Sequence, residues 1–405
     1  MTIRAITDDE ILAWRGVPHR AYHASRVLDP ADLDFLRGRY QAQTLTGVFD
    51  GDEIVATART WDCDLPTPGG GTVKADALSS VAVAAGHRRR GILTALMRHC
   101  LDDARARGCA LSVLIASEAG IYERFGYGPA SEHCTWVLDA QHAQFRDSSL
   151  AAAYDIELCQ DRDLRDIAPA IQAEAAALLP GAMPRTGSDW DLLLGLAGMS
   201  DQDTTKVRNA VVLGRAGRPR AYARYHIEEK WEERLPRSTL HVDDLAATDP
   251  ESYAAVWQFL ASIDLVATVR AGDRPVDEPL PWLLADPRAA RQLERSDFEW
   301  VCVLDPVAAL AGRSYATEDS LVLRAGDGPG IRIRVSAGTP QVEQTDVQPD
   351  LVMAQHTLGS IYLGQQSLVR LQSAGLLTEN TPGAVRRAAA MFEHTPSAWS
   401  GHTWF

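Results

Sequence analysis

The sequence predicts a multidomain protein of the mixed α/β (α+β) class, and three observations support this prediction. The chain has 405 residues, 46% hydrophobic and 23% charged, which is enough for two to four globular domains. A buried strand, a loop, a helix and a second buried strand follow one another from Val81 to Ile115. The same order returns between Thr239 and Val269. Strands that alternate with helices indicate mixed sheets flanked by helices.

Composition also excludes several classes of protein. No stretch approaches the roughly 18–20 apolar residues of a membrane helix, and residues 1–10 do not resemble a signal peptide, so we expect no membrane span and a cytoplasmic location. The net charge of −14 argues against a nucleic-acid partner and favours cationic small molecules or basic peptides. The six cysteines are scattered without a C-x-x-C pair, so we expect neither a metal site nor a disulfide framework.

The first segment extends to about residue 150 and contains the clearest elements. Its central helix is indicated by apolar residues at three- and four-residue spacing from Ile92 to Ala104, with Gly108 as the stop signal. The other predicted elements are a strand at 53–61, a loop at 62–71, buried strands at 77–84 and 111–116, and a short helix at 118–124.

The second segment, 151–292, repeats this order with one difference. Its predicted elements are a hairpin of strands 210–213 and 221–226, a strand at 239–245, a helix at 250–261 and a strand at 265–269. The loop before that helix, Ala246–Pro250, contains neither glycine nor arginine. If this segment repeats the first fold, it has lost the means to bind a polyphosphate.

The third segment, 293–405, is predicted to contain strands at 299–304, 321–324 and 331–335, a hairpin turn at 327–330, and helices toward residue 392. It ends in Trp404 and Phe405. Because chain ends are usually polar and small, an aromatic end indicates a segment that docks.

The loop from Gly86 to Gly91 is the most informative stretch. It joins a buried strand to the start of a helix, where unpaired amide groups and the helix dipole favour anions. Gly91 lets the backbone approach a phosphate closely, and three arginines, 88–90, add positive charge. Ile92 and Leu93 replace the lysine and hydroxyl of a Walker loop. The pattern therefore predicts a pyrophosphate site of another kind, in preference to a solvated arginine run.

These residues resemble the acetyl-coenzyme A motif of the GNAT acyltransferases, R-x-x-G-x-G/A, with Leu93 in place of the usual Gly or Ala. Residues 121–127 resemble the second signature of that fold, an aromatic helix after its fifth strand. Together with 87–91, 116–122 and 125–130, they resemble the Eis (enhanced intracellular survival) family. The resemblance implies two tandem GNAT folds, the second degenerate, and a C-terminal sterol-carrier-protein-like α/β domain.

By resemblance, acetyl-coenzyme A is the co-substrate, no metal is used, and two groups of residues bind the coenzyme. Backbone amides of the strand would hold the pantetheine arm and polarise the thioester, while the loop and helix start would hold the pyrophosphate. Ser117 and Glu118 would border the cofactor. The complete implied set is Val81, Ala82, Val83, Arg88, Arg89, Arg90, Gly91, Ile92, Leu93, Thr94, Ser117 and Glu118.

The resemblance also implies the catalytic pair. Tyr122 would protonate the leaving thiolate, with Tyr127 as the nearest competitor, and the main-chain carboxylate of Phe405 would be the base, supplied by the third domain. The alternative for Tyr122 is a packed aromatic residue. The alternative for Phe405 is that Trp404 and Phe405 only anchor the tail.

Other polar and aromatic residues remain open. His19, Tyr22 and His23 are interpreted as a surface helix rather than a substrate cleft, and His87 as either a phosphate contact or a loop cap. Trp231 lies in an acidic run that is typical of a solvated surface but would also attract polycations. No substrate contact is assigned to Trp14, Tyr22 or Phe35.

The predicted activity is acetyl transfer to an amine-bearing cationic small molecule or to protein lysines. The resemblance implies aminoglycosides, acetylated at several amines, and a homo-oligomer, specifically a hexamer. Two alternatives stay open: transfer of longer acyl chains, and a lipid carrier or scaffold with vestigial transferase domains. The intact arginine–glycine loop disfavours the second alternative.

Overall fold

The computed structural model describes residues 1–24, 28–147, 149, 154–177, 179–197, 207–214, 217–401 and 403. Contacts divide these residues into two units. Unit 1 contains 1–131 and 297–398, and unit 2 contains 132–296 and 399–403. Each unit is therefore built from two separate stretches of chain. Within the described ranges, no helix is both long enough and apolar enough to cross a membrane.

Strands and helices are numbered here in chain order. The strands are β1 (Thr2–Ala5), β2 (Thr44–Asp50), β3 (Glu53–Pro66), β4 (Thr72–Val83), β5 (Leu111–Ile115), β6 (Tyr127–Pro129), β7 (Glu132–Asp139), β8 (Asp155–Cys159), β9 (Arg208–Leu213), β10 (Pro219–Glu228), β11 (Trp231–Glu232), β12 (Leu235–Pro236), β13 (Ser238–Ala247), β14 (Val266–Pro275), β15 (Ala290–Asp297), β16 (Glu299–Val303), β17 (Ser320–Ala325), β18 (Gly330–Ser336), β19 (Thr339–Thr345), β20 (Leu351–Met353) and β21 (Leu377–Glu379). The helices are α1 (Ile11–Ala21), α2 (Leu33–Tyr40), α3 (Ile92–Ala106), α4 (Asp161–Ala176), α5 (Gly187–Leu193), α6 (Pro250–Ser262), α7 (Leu280–Leu283), α8 (Pro306–Ala311), α9 (Gln355–Tyr362), α10 (Leu368–Ser373) and α11 (Ala384–Phe392).

Two seven-stranded sheets exchange strands across the segment boundaries predicted near 150 and 292. The sheet of unit 1 has the order β1-β2-β3-β4-β5-β16-β6, and that of unit 2 has the order β15-β7-β14-β13-β10-β9-β8. β16, predicted in the third segment, pairs antiparallel with β5 and β6. β7, which lies within the predicted first segment but was not predicted as a strand, pairs antiparallel with β14. Alternation of apolar and polar residues indicates that a stretch is a strand, but not which strand it pairs with. Contiguous segments of the sequence therefore cannot describe these two sheets.

The core of the first sheet forms under α3, as the apolar spacing predicts. Leu96 and Met97 are fully buried against the sheet. The predicted loop at 62–71 was wrong, because β3 continues to Pro66 and the turn is confined to 67–71. Leu65 is fully buried and continues the strand pattern, while Thr67 N donates to Gly71 O at 2.9 Å and closes the hairpin. The predicted helix at 118–124 consists instead of two 3₁₀ turns.

The remaining predicted elements are present. β9 and β10 form the predicted antiparallel hairpin, and α6 connects the parallel strands β13 and β14. In unit 1 a second, five-stranded sheet has the order β19-β18-β17-β20-β21, which includes the predicted hairpin of β17 and β18. All six cysteines are free.

Glu299, on the exchanged strand β16, is a fully buried carboxyl group, and it makes the stability of the protein depend on pH. Neither carboxyl oxygen has a hydrogen-bond partner within the described ranges. Burial raises the pKa of Glu299 to about 8, against roughly 4.3 in an unfolded chain. A raised pKa in the folded state means that the folded protein binds the proton more tightly. The contribution of this proton to the free energy of unfolding is fully present below about pH 4. It is lost as the pH rises through about 8.

We therefore expect Glu299→Gln to become progressively more stable than the wild type as the pH rises from 5 to 8. The difference in the free energy of unfolding should grow by up to ~1.4 kcal/mol per pH unit, because glutamine never ionises. Urea unfolding across this range measures the difference. Glu343→Gln, at an exposed position, is the control and should follow the wild type. A constant gap between Glu299→Gln and the wild type would contradict the expectation.

Candidate active site

A crevice opens in unit 1 where two parallel strands separate. Pairing between β4 and β5 stops at Ala77 and Val113, although β4 continues to Val83 and β5 to Ile115. Beyond that point the β5-facing main-chain groups of β4 are no longer used in the ladder. Buried or ligand-facing amides need acceptors, so this edge of β4 is suited to hold an extended polar chain.

A β-bulge shapes the same part of β4. Ser80 and Val81 together face one residue of β3, and Ser80 has a φ of 52°, which non-glycine residues rarely adopt. Thr57 Oγ1 donates to Ser80 O at 2.8 Å, and Tyr22 Oη donates to Val81 O at 3.1 Å. These two hydrogen bonds hold the bulge, which bends β4 locally beside the crevice.

The start of α3 closes one end of the crevice. Gly91 is the N-cap residue with a φ of 79°, and a Cβ there would point into open space. Arg89 also has a positive φ, 61°. Such backbone turns direct successive amides toward one point and create an anion-binding hollow. Since Gly91 offers no side-chain acceptor, the first amides of this 15-residue helix remain available to a ligand.

The resulting cavity has a volume of about 490 Å³ and gathers most of the predicted site. Of the twelve predicted coenzyme residues, it is lined by Val81, Ala82, Val83, Arg88, Arg89, Gly91, Ile92, Leu93, Thr94, Ser117 and Glu118. The remaining one, Arg90, points elsewhere: its guanidinium Nη2 lies 3.7 Å from Asp50 Oδ2. His87 also lines the cavity, and its Nε2 lies 3.5 Å from the same carboxylate oxygen.

Four lining residues were not predicted: Ala21, Tyr22, Ile121 and Arg124. Tyr22 was interpreted as part of a surface helix, but it follows the last turn of α1, where its hydroxyl reaches β4. The only signal in the sequence was an aromatic residue near the end of a helix. Trp14, by contrast, is fully buried and donates to Thr46 O, so it belongs to the core.

Tyr122 and Tyr127 occupy different environments although their rings are in edge-to-face contact, 6.1 Å apart. Tyr122 lines the cavity. Burial raises the pKa of Tyr122, and Tyr22 and Glu118 raise it further, so the phenol is protonated at neutral pH. Tyr127 is fully buried, and its hydroxyl lies 2.7 Å from Ser112 Oγ, outside the residues that line the cavity. The geometry therefore makes Tyr122 available to a ligand and engages Tyr127 in the interior.

The predicted base, Phe405, lies outside the described residues, as does Trp404. Trp399 and Thr403, which precede them, belong to unit 2. Trp399 N donates to Pro180 O at 3.0 Å, and Thr403 Oγ1 donates to Met183 O at 2.9 Å. Trp399 and Thr403 are therefore held within unit 2, while the predicted docking of Trp404 and Phe405 lies outside the described residues.

Unit 2 contains the equivalent crevice, but its own side chains fill it. Pairing of β13 and β14 stops at Val242 and Ala271, although both strands continue. Arg274 spans the gap, donating to Leu245 O at 2.8 Å and to Glu278 Oε1 at 2.6 Å. This ion pair is almost completely buried.

The helix start in unit 2 is occupied as well. Asp249 is the N-cap residue of α6 and accepts a hydrogen bond from Ser252 N at 2.7 Å. Burial would raise the pKa of Asp249, but the hydrogen bonds from Ser252 N and Arg220 outweigh it and lower the pKa. A fixed carboxylate thus takes the place that a phosphate would need. The absence of glycine and arginine from the loop at 246–250 is explained by this cap, because the carboxylate of Asp249 already binds the helix amides.

Comparisons with known proteins agree with this architecture. Two family models described as "Acetyltransferase (GNAT) domain" match residues 2–130 and 181–301, and one described as "Sterol carrier protein domain" matches 306–400. An uncharacterized N-acetyltransferase of Streptomyces griseus is 33% identical over 98% of both chains. N-acetyltransferase Eis of Mycobacterium tuberculosis is 30% identical over 85% of both chains. The chain belongs to the Eis family of GNAT acetyltransferases. The crystal structure of Eis1 from Mycobacterium abscessus covers both chains completely, with 31% identity and a TM-score of 0.85.

Membership in the Eis family confirms the predicted fold class, two tandem GNAT folds and a sterol-carrier-like domain. It also confirms that the chain is an N-acetyltransferase. The GNAT fold implies acetyl-coenzyme A as the co-substrate. The unit 1 cavity has the parts such a ligand requires: a strand edge beyond the end of the β4–β5 ladder, a helix start without a side-chain cap, and nearby arginines.

We expect Gly91→Asp to weaken acetyl-coenzyme A binding at least about tenfold, because a carboxylate at the N-cap occupies and repels the phosphate position. Unit 2 already shows this arrangement at Asp249. Isothermal titration calorimetry measures the dissociation constant. Gly108→Asp is a matched control, since Gly108 has a similar φ of 75° beyond the other end of α3. Equal affinity of Gly91→Asp and the wild type would exclude this helix start as the phosphate site.

Proposed function

We propose that this Eis-family enzyme transfers an acetyl group from acetyl-coenzyme A directly to primary amines, in a ternary complex in the cytoplasm. One observation carries the proposal: a single cavity combines the bulged edge of β4, the start of α3 and the phenol of Tyr122. An extended thioester with a diphosphate at one end matches this sequence of groups. The first GNAT domain is catalytic in this proposal, and the second does not bind coenzyme.

The coenzyme would be held along its whole length. The main-chain amides of 81–83 bind the pantetheine arm, and one of them faces the thioester oxygen. A fixed donor at that place stabilises the negative charge that develops when the carbonyl is attacked. The start of α3, with Arg88 and Arg89, binds the diphosphate. Arg90 supports the loop through Asp50 rather than the ligand.

Proton transfers are assigned to one phenol and one chain end. The acceptor arrives as an ammonium group with a pKa of about 10.4 and must lose a proton before its nitrogen can attack. The carboxylate of Phe405 takes that proton. As the new C–N bond replaces the C–S bond, Tyr122 donates its proton to the leaving thiolate. Its raised pKa keeps the phenol in the donor form.

The proposed acceptors are aminoglycosides, at several of their amines, and protein lysines. The net charge of −14 supports cationic acceptors, because a negative field concentrates them near the protein. Purified protein is incubated with acetyl-coenzyme A and a panel of aminoglycosides and lysine peptides, and free thiol release is followed. Amine-dependent release supports the proposal, and its absence across the panel would contradict it. Longer acyl-coenzyme A donors in the same assay test the longer-chain alternative.

The lipid-carrier alternative is disfavoured by the interior of the sterol-carrier-like domain. Arg313 is buried there, and its guanidinium donates to the main-chain oxygens of Tyr362 and Phe392. It also lies over three aromatic rings, those of Tyr315, Tyr362 and Phe392. Contact between this buried guanidinium and an acyl chain would be energetically unfavourable. Tight lipid binding without acetyl transfer would reverse this judgement.

We also propose a homo-oligomer, specifically a hexamer. Large apolar side chains on unit 2 support an interface between copies: Trp282 is 78% exposed and Trp231 is 57% exposed. Aromatic side chains are enriched in protein–protein interfaces relative to the rest of the surface. Native mass spectrometry measures the number of subunits, and a monomer at micromolar concentration would contradict the proposal.

A further inference from the structure

Arg124 is a cation of the unit 1 cavity to which the proposed mechanism gives no role. It lines the cavity together with Tyr122, which stands two residues earlier in the chain. Tyr122 is buried, whereas Arg124 is exposed. The phenol therefore lies at the inner end of the cavity, and the arginine lies at its rim.

The guanidinium of Arg124 is oriented by an aromatic ring. It lies 4.9 Å from the centre of the Phe125 ring, and Phe125 packs against the apolar cluster that contains Leu96 and Met97. Among the described residues, none accepts a hydrogen bond from Arg124 or forms an ion pair with it. A ring contact holds the guanidinium plane without using its N–H groups, so all five donors remain available to a ligand.

Arg107, in the same unit, shows how an arginine that serves the fold is arranged. Its guanidinium is shared among the carboxylates of Asp62, Asp76 and Asp103, so its charge is neutralised within the protein. Arg124 instead combines free donors, a supported plane and access to the cavity. A guanidinium of this kind matches two phosphate oxygens at once, and phosphate is therefore the ligand group that it fits best.

The proposed ligand carries one phosphate more than the start of α3 accounts for. Coenzyme A has a diphosphate, which α3 would bind together with Arg88 and Arg89, and a separate phosphate on the 3′-oxygen of its ribose. A phosphate monoester carries a charge of about −1.5 to −2 at neutral pH and offers three acceptor oxygens. Since the thioester would lie at the buried end, beside Tyr122, the ribose emerges at the rim. Arg124 is the lining arginine that remains for its phosphate.

Glu118 is the carboxylate among the described residues that line the cavity, and it acts at the inner end. The pKa of Tyr122 is raised by burial, by Tyr22 and by Glu118, which shows that this carboxylate acts on the phenol. A phosphate at the rim would instead meet the guanidinium of Arg124.

We propose that Arg124 recognises the 3′-phosphate of the coenzyme, so that the enzyme distinguishes acetyl-coenzyme A from its dephospho form, which ends in an unmodified ribose. This inference rests on the proposed binding of coenzyme A in the unit 1 cavity. It adds a specificity-determining residue outside the arginine–glycine loop. The loop contacts the diphosphate that both coenzymes share, and Arg124 contacts the group in which they differ.

The test measures the binding of coenzyme A and of dephospho-coenzyme A to the full-length protein by isothermal titration calorimetry. We expect the wild type to bind coenzyme A about tenfold more tightly, because its 3′-phosphate forms charge-assisted hydrogen bonds with Arg124. Arg124→Gln should bind coenzyme A about tenfold more weakly than the wild type does, and dephospho-coenzyme A within about twofold of it. Arg124→Lys keeps the charge but not the planar fork, and should keep part of the preference.

Two other arginines provide controls. Arg98 is exposed on α3 and does not line the cavity, so Arg98→Gln reports the loss of a positive charge elsewhere on the unit. It should match the wild type with both ligands. Arg88→Gln should weaken both ligands by the same factor, because the diphosphate is common to them.

Failure of this inference can be distinguished from failure of the proposed coenzyme site. Equal loss of affinity for both ligands in Arg124→Gln, or an undiminished preference for coenzyme A in that variant, would overturn the role of Arg124. A wild type that binds the two ligands alike would overturn it too. In each case Gly91→Asp and Arg88→Gln would still weaken binding if the site is correct. Coenzyme A bound equally well by the wild type and by all three variants would overturn the site together with the inference.

Discussion

Replacement of Tyr122 by phenylalanine should lower kcat by about two orders of magnitude while leaving the affinity for acetyl-coenzyme A within about twofold. The reason is the position of the phenol: Tyr122 is the tyrosine of the 119–127 region that lines the cavity, and its raised pKa keeps a proton available. The variant changes only an oxygen, so packing is preserved. Steady-state kinetics of thiol release and calorimetric titration with acetyl-coenzyme A measure the two quantities.

Tyr127→Phe is the matched control for this prediction. Tyr127 shares the ring contact with Tyr122, but its hydroxyl bonds with Ser112, which in turn donates to Asp76 at 3.0 Å. Loss of that hydroxyl should cost about 1 kcal/mol of stability and change kcat by less than about threefold. If Tyr127→Phe lowers kcat as much as Tyr122→Phe, the assignment of the acid is wrong.

Removal of Trp404 and Phe405 should likewise lower turnover by about two orders of magnitude or more. The new terminal carboxylate would then belong to Thr403, a residue held by the main chain of Met183, and would lie two residues short of its proper place. Thiol release with a fixed aminoglycoside measures the loss. The unfolding temperature should stay close to that of the wild type, because Trp399 and Thr403 keep their contacts.

Two further variants distinguish a base from an anchor at the chain end. A single glycine added after Phe405 keeps both aromatic side chains but displaces the carboxylate by ~3.5 Å. A C-terminal amide, made by protein ligation, keeps the position and removes the charge. Both should resemble the deletion. Normal turnover of the amide variant would leave the aromatic residues as a simple anchor, which is the alternative that the sequence left open.

Local elements and the phosphate loop were predictable because each is encoded in a short stretch. The spacing of Leu96 and Met97 predicts the buried face of α3, and Gly91 after three arginines predicts an anion site at the start of a helix. The absence of glycine and arginine before Pro250 predicts a degenerate second site. The physical cause of that degeneracy is the N-cap carboxylate of Asp249. The sequence carries a signal for it, because an Asp–Pro pair before an apolar helix is typical of a helix cap.

Features that depend on contacts between distant residues were not predictable. The exchange of β7 and β16 leaves no trace in either strand, because alternation indicates only which side chains are buried. The bulge at Ser80 depends on Thr57 and Tyr22, which lie more than twenty residues away. Nothing in the sequence distinguishes Arg185 from other loop arginines, because its hydrogen bond to Gly401 O joins residues 216 positions apart.

The most direct test of the account is a crystal structure of the enzyme with coenzyme A. We expect the diphosphate to accept hydrogen bonds from the first amides of α3, beginning after Gly91, and the pantetheine arm to follow residues 81–83. The sulfur should lie within hydrogen-bond reach of Tyr122 Oη. Coenzyme bound away from this cavity, or with its sulfur remote from that phenol, would contradict the assignment of unit 1 as the acetyl-transfer site.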